Sequence, residues 1–225
     1  MARRVQSDEV VVEAGDAQLA GTLIVPEKAG GIVLFAHGSG SSRFSPRNQF
    51  VARTLHEGRL ATLLFDLLTA EENVIDEQTR ELRFDIALLS RRLVGVIDWL
   101  KSQPGAADLP IGLFGASTGS AAALNAAAER RERVKAVVSR GGRPDLASQL
   151  ERVGAPTLLI VGGQDHQVIT LNQKAAACLR AEHRLEIVPG ATHLFEEPGT
   201  LAAVAELARN WFQRYLRVHD HASQQ

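Results

Sequence analysis

The sequence of 225 residues predicts an α/β protein, a mostly parallel eight-stranded sheet with helices on both faces, in a single domain over 1–225. Three observations point there. Short apolar runs closed by Gly or Pro alternate with longer segments of helical period. The first two runs flank a tight turn at Ala14-Gly15-Asp16. Hydrophobic residues make up 45% of the chain, enough for a large core, and no linker-like or repeated stretch divides it.

In order, the runs at 10–13 and 19–25 read as strands of an antiparallel hairpin. The stretch 31–36 (Gly-Ile-Val-Leu-Phe-Ala) is a fully apolar strand, the texture of a sheet covered on both faces. A helix over 48–56 stops at Gly58, and a strand follows at 60–65, ending at Asp66. The polar, acidic stretch 67–80 reads as a loop. Ile86, Leu89, Leu93, Val96, Ile97 and Leu100 form a helical stripe within 82–102. Strands are expected at 111–114, 134–138, 156–161 and 184–188, and helices from the end of the 111–114 strand to about Arg130, over 172–181 and over 201–216. The polar tail 219–225, with His219 and His221, is expected to fray.

Composition excludes several classes. Lys plus Arg number 25 against 26 for Asp plus Glu, a net charge of −1, so no nucleic-acid partner is expected. The seven histidines show no metal-ligand spacing, and neither a metal nor an organic cofactor is expected. The single cysteine, Cys178, cannot form an intramolecular disulfide and is expected in a helix, facing the core. Residues 1–9 carry basic side chains without a following apolar run, and no run approaches the roughly 20 residues of a membrane span. A cytoplasmic protein without a membrane partner is the expectation.

The chemistry concentrates at Gly115-Ala116-Ser117-Thr118-Gly119, a G-x-S-x-G placed between an apolar strand and an alanine-rich helix. A sharp strand-to-helix turn lifts the serine hydroxyl above the sheet edge. It also brings the residues two before and two after close together, which restricts both to glycine. The helix start supplies backbone N–H groups where an oxyanion would develop. A serine needs a base and the base needs an orienting acid. In this architecture the chain order is Ser, then Asp or Glu, then His. His193 follows the strand 184–188, at the sheet edge that bears Ser117, whereas His183 begins that strand at the wrong end. Asp165 lies just past the strand 156–161 on the right edge; a turn or helix cap is its plainer role, and Asp145 is the competing acid. His166 reads as an exposed neighbour. In His37-Gly38-Ser39-Gly40-Ser41-Ser42-Arg43, the Ser39 N–H is the expected partner of the Thr118 N–H in an oxyanion hole, and His37 is expected to hold the loop by hydrogen bonds.

Taken together, His37-Gly38-x-Gly40, Gly115-x-Ser117-x-Gly119, Asp165 and His193 resemble the α/β-hydrolase family, and their spacing resembles its dienelactone hydrolase-like branch. The likeness extends over about 19–216. It implies an α/β-hydrolase fold and hydrolysis of small esters by a Ser117–His193–Asp165 triad without a cofactor. One departure matters: dienelactone hydrolases proper use a cysteine nucleophile, and serine stands at 117. Ester hydrolysis is thus the expected reaction, rather than action on dienelactone itself. Acyl transfer to another acceptor, perhydrolysis and a non-catalytic ligand-binding role are the alternatives. Only one short helix is expected between 139 and 155, leaving no room for a lid domain; the 67–80 loop, Arg43 and Arg143 are expected to form the rim of a shallow site.

Overall fold

In a computed structural model of the protein, residues 5–216 are described. The histidines of the expected frayed tail, His219 and His221, lie outside them. Strands β1 (Val5–Ala14) and β2 (Ala17–Pro26) form the hairpin, longer than the apolar runs alone suggest, around a two-residue turn with Gly15 at φ +68°. The order continues β3 (Ile32–Ala36), α1 (Pro46–Glu57), β4 (Ala61–Phe65), α2 (Ala70–Thr79), α3 (Ile86–Trp99), β5 (Ile111–Ala116), α4 (Thr118–Glu129), β6 (Val134–Arg140), β7 (Thr157–Gly162), α5 (His166–Ala176), β8 (His183–Val188) and α6 (Thr200–Tyr215). The eight strands make one sheet in the order β1-β2-β4-β3-β5-β6-β7-β8, parallel from β4 to β8 and antiparallel at β1/β2 and β2/β4.

Strands β3, β4, β5 and β7 are buried at every residue, as runs without polar alternation require when helices cover both faces. One face packs Leu34, Leu63 and Leu113 with Leu93 of α3 and Ala123 of α4. The other packs Phe35, Phe114 and Val138 with Leu55 of α1 and Phe212 of α6. Phe35 and Phe114 meet with ring centroids 4.9 Å apart. The central strand β5 therefore ends between the two layers, and its last residue abuts Ser117.

Four expectations need correction. The 67–80 stretch is not a loop, because α2 occupies most of it. Thr69 accepts from the Glu72 N–H at 3.2 Å while the Glu72 carboxylate accepts from the Thr69 N–H at 2.9 Å, a reciprocal cap that starts a helix without an apolar stripe. The segment 82–102 is broken, with short 3₁₀ turns at 82–84 and 100–102 around α3. Helix α5 begins at His166 rather than 172 and ends at Ala176, so Cys178 falls beyond it and is exposed rather than in the core. Between β6 and β7 there are only two three-residue 3₁₀ turns, at 144–146 and 150–152, and the expected absence of a lid domain holds there. Among the described residues no helix is long and apolar enough to cross a membrane.

Candidate active site

The strand-to-helix turn has the conformation that the sequence motif implies. Ser117 sits at φ 50°, ψ −123°, a region that non-glycine residues enter only under strain. The surroundings hold it there: the Ser117 N–H donates to the Arg140 carbonyl at 3.1 Å, and its own carbonyl accepts from the Arg143 N–H at 3.1 Å and the Ser120 N–H at 3.1 Å. Both flanking glycines are required by space. A Cβ on Gly115 would lie 2.5 Å from Ser120 Cα, and one on Gly119 would lie 2.2 Å from the Ala36 carbonyl oxygen. Helix α4 is buried along nearly its whole length, and its alanines allow this close approach.

Asp165 occupies the residue before α5, yet its side chain makes no capping bond. Its Oδ2 instead accepts from His193 Nδ1 at 2.6 Å, which leaves Nε2 as the basic nitrogen of the ring. Two loops are laced together to achieve this. The Gly163 N–H donates to the Val188 carbonyl at 2.8 Å, and the Gln164 N–H donates to the Ala191 carbonyl at 2.9 Å. Glu197 braces the far side of the His193 loop, accepting from the Thr192 hydroxyl at 2.6 Å and the Thr192 N–H at 3.1 Å. The same loop presses on the elbow's neighbour: a Cβ on Gly141 would stand 3.5 Å from His193 Nδ1 and Cε1. The segment Arg140–Gly141 thus links Ser117, bonded to the Arg140 carbonyl, to His193. The competing acid, Asp145, is taken by a bidentate pair with Arg143, at 2.9 and 2.8 Å. His183 lies at the opposite end of the sheet, with Nδ1 2.9 Å from the Ala181 carbonyl oxygen. His166 is exposed at the first turn of α5.

His37 holds its loop as expected. Its Nε2 accepts from the Leu67 N–H at 3.1 Å, and Nδ1 donates to the Gly38 carbonyl at 2.9 Å. Burial keeps the ring's pKa below its ordinary value, so it remains the neutral linker of β3 and β4. The loop it holds reaches the elbow: a Cβ on Gly38 would stand 3.2 Å from Ser117 Cβ. Ser39 also arrives there, but its N–H, expected to face an oxyanion directly, donates to Thr118 Oγ1 at 3.0 Å. The Thr118 N–H, first in α4, has no partner within the helix.

The two rim arginines are both engaged. Arg43 binds Asp66 through its N–H at 2.8 Å and through its guanidinium, and reaches Glu9 at 3.7 Å. Arg43 does line a cavity of about 930 Å³, bounded also by Ser39, Asp66, Thr69, Asp76 and Arg83. Arg143 does not, and neither Ser117 nor His193 borders it. The cavity therefore reaches the elbow through the 38–40 turn. Asp76 and Arg83 were not legible as site residues. Arg83 donates from its backbone at 2.9 Å and from Nε at 2.7 Å to the buried Asp76 carboxylate. Burial pushes the Asp76 carboxyl up, but the hydrogen bonds and charge of Arg83 outweigh it and hold the group below its usual range. Among the described residues, no group of three or more His, Cys, Asp or Glu could hold a metal ion.

Comparison with known proteins supplies the context for this arrangement. Residues 19–222 match the family model described as Dienelactone hydrolase family. The crystal structure of a dienelactone hydrolase from Anabaena variabilis is 61% identical, covers 95% of this chain and 99% of its own, and superposes with a TM-score of 0.93. Est1E from Butyrivibrio proteoclasticus, 17% identical over 92% of this chain and 98% of its own, shares the fold with a TM-score of 0.76. Two Mycobacterium tuberculosis proteins, from strains CDC 1551 and H37Rv, carry a provisional phosphoribosyl transferase name and are each 59% identical over 212 residues. That is 94% of this chain but 47% of theirs, so the chain spans about half the length of these curated relatives. With a match over most of its length, the eight-stranded sheet, the G-x-S-x-G elbow and the aspartate–histidine pair find their common context: the chain belongs to the dienelactone hydrolase family, a family of hydrolases on the α/β-hydrolase fold.

Proposed function

We propose that this chain is a serine hydrolase that cleaves small esters through an acyl-enzyme on Ser117. The observation that carries the reading is the 2.6 Å contact of His193 Nδ1 with Asp165, beside a serine held at a strained elbow. It turns His193 Nε2 outward as a base and gives the imidazolium a counter-charge.

In the first half-reaction the Ser117 Oγ–carbonyl carbon bond forms, the serine proton passes to His193 Nε2, and the carbonyl electron pair moves onto oxygen. The Thr118 N–H, at the positive end of α4, meets that oxyanion; one such donor is worth about 3 kcal/mol. Collapse breaks the ester C–O bond, and the imidazolium returns its proton to the leaving alkoxide. Water then repeats the sequence on the acyl-enzyme. The cavity beyond the 38–40 turn would take the part of the substrate that extends past the reacting carbonyl. Its ion-paired walls favour neutral polar groups over an unpaired charge, so Arg43 is read as a wall and not as an anion receptor.

The transferase name borne by the mycobacterial relatives describes proteins about twice as long as the matched stretch. The residues gathered here suit acyl chemistry, and we read this chain accordingly. The test is hydrolysis of p-nitrophenyl acetate and butyrate by the wild type and by Ser117→Ala, with circular dichroism to verify the fold. The variant should lose at least about 10³-fold in kcat. Equal rates in both proteins would remove Ser117 from the chemistry. Product analysis with a competing alcohol or peroxide separates hydrolysis from acyl transfer and perhydrolysis.

A further inference from the structure

The Thr118 side chain carries a role that the G-x-S-x-G motif does not assign, since the motif uses only that residue's backbone. Thr118 is buried and its Oγ1 stands 3.0 Å from the Ser39 nitrogen, accepting its N–H. The hydroxyl therefore occupies the acceptor position in front of the loop N–H that the sequence reading assigns to an oxyanion. A hydroxyl that accepts one hydrogen bond still has a proton to give. No hydrogen bond among the described residues takes that proton, and its partner Ser39 lies in the turn that meets the elbow, where a Cβ on Gly38 would stand 3.2 Å from Ser117 Cβ.

We propose that Thr118 Oγ–H is a second oxyanion donor, and that Ser39 acts through it as a relay. The chain runs from the Ser39 N–H to Thr118 Oγ1 and from the Thr118 Oγ–H to the substrate oxyanion. The first bond polarises the hydroxyl and strengthens the second, as serial hydrogen bonds do in a site of low dielectric. No proton is transferred along it: the serine proton still goes to His193, and both relay groups keep theirs. Thr118 then touches the reacting oxygen twice, through N–H and Oγ–H, while Ser39 is a positioning residue. The three groups come from chain segments 79 positions apart, so the loop after β3 is registered against α4 by the bond that prepares the site.

This inference rests on the serine-hydrolase reading, and the experiment separates the two. Kinetics on p-nitrophenyl butyrate would be measured for the wild type, Thr118→Val, Thr118→Ser and Thr118→Ala, with the affinity of butylboronic acid, a tetrahedral adduct former, measured alongside. Thr118→Val keeps the volume and removes the hydroxyl. Its kcat should fall about 10- to 100-fold with KM within about twofold, and boronate affinity should fall in parallel. Thr118→Ser should stay within about threefold of wild type, because it retains the hydroxyl. Should Thr118→Val and Thr118→Ala match or exceed the wild type, the hydroxyl merely covers Ser39, and the relay is wrong. If Thr118→Ser is as slow as Thr118→Val, the methyl group matters and the relay is again wrong. If the wild type neither turns over the ester nor labels at Ser117 with a fluorophosphonate, the hydrolase reading fails and takes the relay with it.

Discussion

The elbow and helix α2 flank the same 37–43 loop, and they are built on opposite principles. The elbow is fixed by contact between backbones: Gly119 stands against the Ala36 carbonyl, Gly115 against Ser120, and α4 is buried on almost every side. Helix α2 has a single buried residue, Asp76, and exposes Val74 and Ile75. It is held by a reciprocal cap at Thr69–Glu72, by the Asp76–Arg83 pair, and by Glu72 with Arg92 at 2.5 Å. Steric construction leaves one solution, whereas charge-and-cap construction can be weakened by degrees. The part proposed to place a reacting atom is made the first way, and the part that lines the cavity is made the second way.

The contrast can be broken or sharpened by substitution. The largest effect should come from Asp165→Asn, which keeps the shape but reverses the hydrogen-bond preference of His193; kcat should drop about 10⁴-fold at unchanged melting temperature. A loss of less than tenfold would mean that the pair does not serve catalysis. Next comes Gly119→Ala, whose Cβ has backbone atoms at 2.2 and 2.5 Å and no flexible side chain to displace. It should cost more than about 3 kcal/mol, read by urea denaturation or by failure to accumulate as folded protein. On the α2 side, Asp76→Asn should cost about 2 kcal/mol at neutral pH, as a buried charge-assisted bond is lost.

That last change also has a pH signature. The Asp76 carboxyl is held below its usual range when folded, so its contribution is fully present above the unfolded value of about 4. It is lost as pH falls through the lower folded value. Wild type and Asp76→Asn should therefore converge in stability in acid, and a constant gap down to pH 2 would refute the assignment. The smallest effect is expected of Thr69→Ala, about 1 kcal/mol for removing the cap, with kcat little changed. Should Thr69→Ala abolish activity, α2 would be as tightly coupled to the chemistry as the elbow.

Legibility followed the same division. The elbow, the sheet and the loop positions of Asp165 and His193 could be read because hard sterics and burial leave few residue choices: glycine where a Cβ has no room, continuous apolar runs where both faces are covered. Helix α2 escaped because its signal is not periodic hydrophobicity. The Thr69-x-x-Glu72 signature was present, but no apolar run followed it. Arg43 and Arg143 were legible as charges near the edge, while their partners Asp66 and Asp145 were not, since pairing depends on where loops turn. Cys178 was misplaced for a similar reason, with the helix ending two residues before it. Arg140 gave no signal either. It lies buried at the end of β6, where loss of solvation, reinforced by Arg47, brings its guanidinium down to about 10, still charged at neutral pH.

The strand order has a consequence for how the proposed activity would first appear in a newly made chain. The 37–43 loop, the elbow, Asp165 and His193 come from four separate loops, with Ser39 and Thr118 79 positions apart and Asp165 and His193 28 positions apart. Each contact has its own loop to close, and the four segments come together only when all of them have closed. The final strand, β8, must dock before His193 has a place to stand. On the proposed reading, turnover is thus an all-or-none witness of completed assembly, because the first turnover waits for the last strand to dock.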